Sequence, residues 1–425
     1  MCIWRATACS ADAKSRSSAS LRASTNRYGA RSSDLRLRGS VMVWSLWNEP
    51  NHIFFIKPRS EAPRVYRRMV EKGLSSLVCF GAHRDYAPAD LWYLARWSCI
   101  DEEASFVFVP RSGDTTLVTD APWDLERARE EAVTGSVVFD ARPADTLAEL
   151  IGLHAVSGDR VGVSGMRTLP APILERLSSL VPDVAFVDAQ WLTEEQRMVK
   201  SELEIGLLQE AARISDLGMA AGIQAAVDGA NEFDVVAEAE YQIRKAGAEL
   251  SFTTVMGAGP RTGLMTFLPK DRPLERGDLV VLDCGARVSG YHGDMCRTTV
   301  VGEPDARQMR MLEAVRSGIE AGIEAARPGA IVRDIHHAAK AAVTEAGFGD
   351  AWWGDYMPHG IGAGQHEPPI GLPDGDVVLR PGMCLCIEPG VGVTGVGGVI
   401  LEQMIQITQD GHRVLNALPL ALWET

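Results

Sequence analysis

Nowhere in these 425 residues does an uninterrupted apolar run approach the roughly 20 residues that a bilayer-spanning helix needs. No transmembrane anchor is therefore expected. Cysteine is sparse and unpatterned: Cys2, Cys9, Cys79, Cys99, Cys284, Cys296, Cys384 and Cys386 contain no CxxC pair and no disulfide-like spacing. Such usage predicts reduced, buried thiols in a cytoplasmic protein rather than a stapled secreted scaffold. Positive charge is in deficit, with 42 Lys and Arg against 56 Asp and Glu and a net charge of -14, which argues against a nucleic-acid partner held by bulk electrostatics. A dinucleotide-binding loop is also missing. The strings GAGP and GVGVTGVGG are glycine-rich, but neither stands in the strand, GxGxxG, helix order.

What is there is the composition of a globular enzyme, 46% hydrophobic and 23% charged, with enough chain to bury a large core in two domains. Residues 1–41 stand apart. They hold eight Lys or Arg against two Asp, are rich in Ser and Ala, and show no apolar period, so the segment is expected to be a disordered basic tail. The same composition fits an organellar transit peptide. The alternative preferred here is a mis-assigned start, with translation beginning at Met42, because no amphipathic period supports import. Removing the tail's +6 leaves -20 for the remainder.

From residue 60 to about 190 the chain alternates helical and strand signals. Ala62 to Lys72 has helical spacing, and Ser76 to Phe80, Phe106 to Pro110, Thr116 to Thr119, Val137 to Asp140, Val161 to Ser164 and Val184 to Asp188 read as strands. An α/β domain of ordinary size follows. A linker is expected near Ala189 to Lys200. Beyond it, residues 191–425 read as a second domain, with long helices at Ser201 to Asp228 and Glu232 to Lys245, further helices at 306–326 and 331–346, and strands over 251–301 and 383–417.

Five potential metal ligands are scattered through this second domain. Asp283 ends an apolar run and Asp294 follows 11 residues later in GYHGDMCRTT, so two adjacent strands could present both carboxylates to one point. His359 opens HGIGAGQHEPP, Glu388 ends MCLCIE, and Glu402 sits in GGVILEQMIQIT. Taken singly, an Asp at a strand end is usually a turn former and a His beside Gly a loop residue. Together they make a hard, oxygen-rich set with one borderline nitrogen. That set suits two divalent ions of the Mn, Fe, Co or Zn kind, roughly 3.5 to 4 Å apart.

The order Asp, Asp, His, Glu, Glu, with these local strings, resembles the pita-bread metallohydrolases: methionine aminopeptidase, Xaa-Pro aminopeptidase, prolidase and creatinase. The resemblance covers roughly residues 60 to 425, with its specific motifs between 250 and 410. It implies an α/β N-terminal creatinase-like domain followed by an α+β pita-bread catalytic domain, a curved antiparallel sheet flanked by helices with the ligands on its inner face. It also implies that Asp283 chelates one ion, that Asp294 and Glu402 bridge both, that His359 is the single histidine ligand, and that Glu388 is both ligand and general base. His366, seven residues beyond His359, matches a histidine that contacts substrate and helps move protons. Arg297 matches an Arg that orients carboxylates. A hydroxide bridging the two ions would attack an amide carbon, with the ions holding the oxyanion. A homodimer is the implied assembly.

Two departures bear on substrate. Proline-specific members carry a His about 17 residues before the first ligand Asp, where this chain has Thr266, and an Arg two residues before the last Glu, where it has Ile400; Gln403 follows that Glu. Tyr291, His292, Trp352, Trp353 and Tyr356 are close in sequence to the ligands and are candidates to line the pocket, with simple packing the competing role for at least half. Trp352 and Trp353 are read as part of a glycine-rich loop. The expected activity is hydrolysis of a C–N bond in a short peptide or peptide-like amide. The alternatives are a creatinase-like or ectoine-hydrolase-like amidohydrolase, a lyase of the dimethylsulfoniopropionate-cleaving kind, or, remotely, a non-catalytic binding module.

Overall fold

The computed structural model describes residues 62–82, 89–100 and 103–421. The tail at 1–41, Met42, Cys2 and Cys9 lie outside the described residues.

The first part of the chain folds into one six-stranded mixed sheet. Its strands are β1 (Leu74–Ala82), β2 (Ala104–Pro110), β3 (Thr116–Thr119), β4 (Ser136–Phe139), β5 (Arg160–Ser164) and β6 (Ala185–Asp188), in the spatial order β4-β3-β2-β1-β5-β6. The central β1, β2 and β3 are almost wholly buried, as near-continuous apolar runs should be when both faces of a sheet are covered. Helices α1 (Ala62–Glu71), α2 (Ala89–Ala95), α3 (Leu125–Glu131), α4 (Pro143–His154), α5 (Ala171–Leu180) and α6 (Gln190–Arg197) supply that cover. Alternation along β1 sends Leu77 and Cys79 to one core, with Trp97 and Leu192, and Val78 and Phe80 to another, with Leu147 and Ile151.

The expected linker is not an open connection. Residues Gln190–Arg197 form α6, and Leu192, Thr193, Arg197 and Lys200 are buried. The reason is electrostatic as well as apolar. Arg197 Nε donates to Asp90 Oδ1 on α2 at 3.0 Å, and its guanidinium also bonds the Glu367 carboxylate, which accepts from Lys200 Nζ at 2.9 Å. Glu367 is the residue after His366, so this buried chain of charges runs from the first sheet to the edge of the candidate site.

The second part is built from two similar halves. Helices α7 (Glu202–Ala225) and α8 (Glu232–Lys245) pack as a pair, and so do α9 (Ala306–Ala325) and α10 (Val332–Glu345). Residues 218–247 and 318–347 align at a constant offset of 100, glycine for glycine at Gly218 and Gly318, Gly222 and Gly322, Gly229 and Gly329, and Gly247 and Gly347. Each first helix starts at a side-chain cap, Ser201 with Glu204 and Asp305 with Gln308, satisfying backbone N–H groups that the first turn leaves without partners. Two of the paired glycines allow close approach to the strands. A Cβ on Gly222 would stand 2.4 Å from Leu282 Cδ2, and one on Gly322 would stand 3.0 Å from Ile387 Cγ2. Leu282 and Ile387 are the residues immediately before Asp283 and Glu388.

Inside these helix pairs lie β7 (Glu249–Leu250), β8 (Val255–Ala258), β9 (Leu279–Asp283), β10 (Ala286–Val288), β11 (Tyr291–His292), β12 (Cys296–Val300), β13 (Trp352–Trp353), β14 (His359–Gly360), β15 (Glu367–Ile370), β16 (Cys384–Ile387), β17 (Gly390–Val393), β18 (Gly397–Ile400), β19 (Gln403–Ile407) and β20 (His412–Val414). All their pairings are antiparallel. One apolar core joins α9 and α10 to Leu385, Ile387, Ile405 and Ile407, and another joins α7 and α8 to Val280, Leu282 and Cys284. Outward alternation thus fills each strand's back with core, and the opposite face carries the polar residues. This is the pita-bread arrangement.

Candidate metal centre

Strand pairing brings the five candidate ligands together from five segments. In the β9–β12 ladder Asp283 is opposite Cys296, and Asp294 lies two residues before Cys296. In the β14–β16 ladder His359 is opposite Cys386, with Glu388 two residues further along. The β16–β19 ladder pairs Ile387 with Gln403, so Glu388 and Glu402 face each other one step beyond it.

Two sets of ligand atoms result. Atoms of Asp294, His359, Cys386 and Glu402 lie within 4.8 Å of one another, and so do atoms of Asp283, Cys296 and Glu388. All four members of the first set are buried. His359 Nε2 is 3.6 Å from Glu402 Oε1, while its Nδ1 is 3.1 Å from the carbonyl oxygen of Gly360. With Nδ1–H donating to that carbonyl, the Nε2 lone pair points into the site.

These residues fit a cation. Asp283 Oδ1, His359 Nε2 and both carboxylate oxygens of Glu402 are buried with no hydrogen-bond partner among the described residues. Leaving such a group unpaired costs about 1–3 kcal/mol, and more when it is charged. Burial first, and the neighbouring carboxylates second, push the pKa values of Asp283, Asp294 and Glu388 well above the usual carboxylate range. For His359 burial acts downward, but the Glu402 carboxylate 3.6 Å away and the charge of Asp294 outweigh it and raise its pKa. A cluster of acids that resists ionising until positive charge arrives is the electrostatic signature of a metal site.

His366 lies at the mouth of the site, its ring centroid 4.3 Å from that of His359. Desolvation in the cleft, and then His359, lower its pKa to about 4, and water at its exposed edge offsets part of that burial. It is neutral at pH 7. Gln365 Nε2 donates to Asp294 Oδ2 at 3.2 Å. Nothing in the local string marked Gln365 as functional, since its amide reaches Asp294 only through the loop joining β14 and β15.

Arg297 does not hold carboxylates. Its fully buried guanidinium donates to the backbone carbonyls of Cys296, Glu402, Leu418 and Pro419 and to Gln403 Oε1. It therefore locates Glu402 through the main chain, and burial lowers its pKa to about 10. Tyr291 is buried, with its hydroxyl donating to Glu204 Oε1 on α7 at 2.8 Å, so its visible role is packing and anchoring rather than lining. His292 Nδ1 is 2.8 Å from Ser251 Oγ, and burial, then Arg287, takes its pKa down to about 3.

Trp352 and Trp353 do not sit in a loop. They form β13, paired with Val391 and Gly390 of β17. Trp352 turns to the α9–α10 core and stacks edge-on against His336. Trp353 turns the other way and joins Phe267, Val281, Cys296 and Ile400 in an apolar cluster beside the Asp283 set. A Cβ at Gly392 would stand 1.6 Å from the Trp353 ring, so glycine there leaves room for the indole. Thr266 is exposed on the loop before Phe267, and Tyr356 is 77% exposed.

Comparisons with known proteins agree with this architecture. Residues 206–409 match the model of metallopeptidase family M24, and residues 63–199 match the creatinase/prolidase N-terminal domain. The chain is 34% identical to a Xaa-Pro dipeptidase of Pyrococcus horikoshii over 250 residues, 59% of this chain and 71% of that protein. It is 30% identical to a Xaa-Pro dipeptidase of Pyrococcus furiosus over 330 residues, 77% of this chain and 91% of that protein. The crystal structure of the prolidase from Pyrococcus horikoshii superposes with a TM-score of 0.77 at 27% identity, covering 86% of this chain and all of the other. These relatives favour peptide hydrolysis over the small-molecule amidohydrolase, lyase and non-catalytic alternatives. With its sequence, its two-part fold and its acid-rich centre in agreement, the chain belongs to metallopeptidase family M24 and is a metal-dependent hydrolase carrying a creatinase/prolidase-type N-terminal domain.

Proposed function

We propose that this hydrolase releases proline from Xaa-Pro dipeptides, with Asp283, Asp294, His359, Glu388 and Glu402 holding two divalent ions of the Mn, Fe, Co or Zn kind. The observation that carries this reading is the meeting of those five residues in two adjoining sets that contain buried, unpartnered ligand atoms. When bound, such ions lower the pKa of a shared water toward neutrality and polarise the scissile carbonyl.

The chain's own groups then divide the proton work. Glu388 accepts a proton from the attacking water at a carboxylate oxygen. It returns that proton to the leaving nitrogen as the C–N bond breaks, so water is added across the bond with no other reactant. A carboxylate at this position can both accept a proton and return it. His366, neutral at pH 7, hydrogen-bonds the carbonyl oxygen or the leaving amine without bringing a competing cation into the site. Trp353, a half-buried aromatic in the apolar cluster, offers an indole face to a pyrrolidine ring. The same reading takes the protein as a cytoplasmic homodimer.

The test is proline release from Xaa-Pro dipeptides and from longer Xaa-Pro peptides, using protein stripped of metal and reloaded separately with Mn, Co, Fe or Zn. Metal-dependent release from the dipeptides is expected. Protein that holds two ions per chain yet releases no proline would overturn the assignment of substrate.

A further inference from the structure

Each of the two ligand sets contains a sulfur atom that the metal reading above does not use. Cys386 is grouped with Asp294, His359 and Glu402, and Cys296 with Asp283 and Glu388. Strand alternation explains how they arrive there. Cys386 is two residues before Glu388 and Cys296 two residues after Asp294, so each thiol shares its strand's inner face with a ligand carboxylate. The two thiols are not equivalent. Cys296 Sγ is 4.0 Å from the carbonyl oxygen of Ile400, at the limit of a sulfur hydrogen bond, and lies within the apolar cluster of Phe267 and Val281. Cys386 also packs in an apolar cluster, with Ile361 and Met404, but it shares its ligand set with Glu402, whose two oxygens have no hydrogen-bond partner among the described residues, and it stands opposite His359, whose Nε2 has none either. Three ligand types thus converge from buried positions on one point, two of them with unpartnered atoms.

We propose that Cys386 supplies a thiolate to the metal position formed by Asp294, His359 and Glu402. This inference rests on the dinuclear reading given above. The centre is then asymmetric. One position has oxygen, nitrogen and sulfur donors; the other, with Asp283 and Glu388, is dominated by oxygen. A thiolate favours Zn, Co and ferrous Fe over Mn, whereas an all-oxygen set with one imidazole accommodates Mn readily. Binding converts the thiol to thiolate and releases its proton to solvent, one proton per ion taken up at that position beyond those displaced from the carboxylates. No oxidant or reductant takes part.

Cobalt reports on this directly, because a Co(II)–thiolate bond gives a charge-transfer absorption in the near ultraviolet that oxygen and nitrogen ligands do not. The full chain, stripped of metal and kept reduced and anaerobic, is titrated with Co(II) while bound metal is counted by elemental analysis. The same is done for Cys386→Thr and Cys296→Thr, both of which place a strand-favouring residue of similar size there, and folding of each is checked by circular dichroism. Expected is a charge-transfer band in the unaltered protein that is retained in Cys296→Thr and lost in Cys386→Thr. Competition between Zn and Mn should shift toward Mn in Cys386→Thr by about tenfold or more, in the range seen when groups around a metal are altered.

Two cobalt ions per chain with no such band would overturn the inference and leave the dinuclear reading standing, and that result needs no variant. A band that depends on Cys296 instead would also overturn it. Failure of the chain to bind cobalt at all would overturn both readings.

Discussion

In the proposed reading Glu388 does two things that pull against each other, holding a cation and carrying a proton. Burial and then Glu402 raise its proton affinity in metal-free protein, which opposes the first until positive charge arrives. Glu388→Gln keeps the size of the side chain and removes its ability to take a proton. The expected outcome is a fall in kcat of at least about a hundredfold, within the span of general acid–base effects. Steady-state assay with metal content measured alongside separates loss of the base from loss of the ion, and near-normal kcat in a fully loaded variant would remove Glu388 from the proton path. Single residues were unequally legible. The five candidate acid and imidazole positions stood out in the sequence because their strings are short and local. Gln365 and Cys386 were not, because an amide and a thiol gain meaning only from what stands opposite them. Arg297 was misjudged in detail for the same reason: its partners are carbonyls on a segment more than 100 residues away.

At the scale of elements, the candidate ligands are aimed by what lies behind their strands. Gly222 lets α7 press on Leu282, and Gly322 lets α9 press on Ile387. Gly222→Val inserts bulk where a Cβ would already be 2.4 Å from Leu282 Cδ2 and 3.1 Å from Ala239 Cβ. It is expected to cost about 1–3 kcal/mol of stability through overpacking and to weaken metal binding, because the strand that moves carries Asp283. Denaturant titration and metal-binding isotherms on the one variant check both effects. The helix α6 and its charges make a second such support. Glu367→Gln leaves Lys200 buried without a carboxylate and Arg197 with Asp90 alone, and breaking a buried pair in this way costs about 3–5 kcal/mol. Burial alone would raise the Glu367 pKa, but Lys200 and Arg197 outweigh it and the net shift is downward. Its contribution is therefore complete above the ordinary carboxylate range and is lost as pH falls through the lowered value. Thermal melts across that acid range should show the deficit of Glu367→Gln shrinking as pH drops, and a constant deficit would contradict the assignment.

For the whole molecule, the acid centre links stability to bound protons and, in the proposed reading, to the cation. Asp283, Asp294 and Glu388 bind protons more tightly folded than unfolded. In metal-free protein their contribution to stability is complete below the ordinary carboxylate pKa and is lost as pH rises through the raised values. A divalent ion takes the place of those protons, adding about 2.7 kcal/mol for each site at a concentration a hundred times its Kd. Calorimetry with and without chelator should therefore show the gap in Tm widening as pH rises toward neutrality. A chelator that leaves Tm unchanged at pH 7 would mean that the centre does not hold metal under those conditions.

The amino-acid sequence by itself determined the class of the chain, its division into an α/β part and an α+β part, and the identity of the five candidate ligands. Each of these is written in local strings, in hydrophobic period and in the chemistry of single side chains. It also carried a repeat at a constant offset of 100 residues, which only became meaningful when two helix pairs were seen to back two ligand-bearing strands. Tertiary structure alone decided that the stretch at 190–197 is a helix with a buried inner face tied by charge to the candidate site, that Trp352 and Trp353 turn to opposite sides of a short strand, and that sulfur atoms stand among the candidate ligands. The physical reason is the same in each case. These features depend on pairing between segments far apart in the chain, where a side chain's role is set by its partner across a ladder or a domain boundary rather than by its neighbours in sequence.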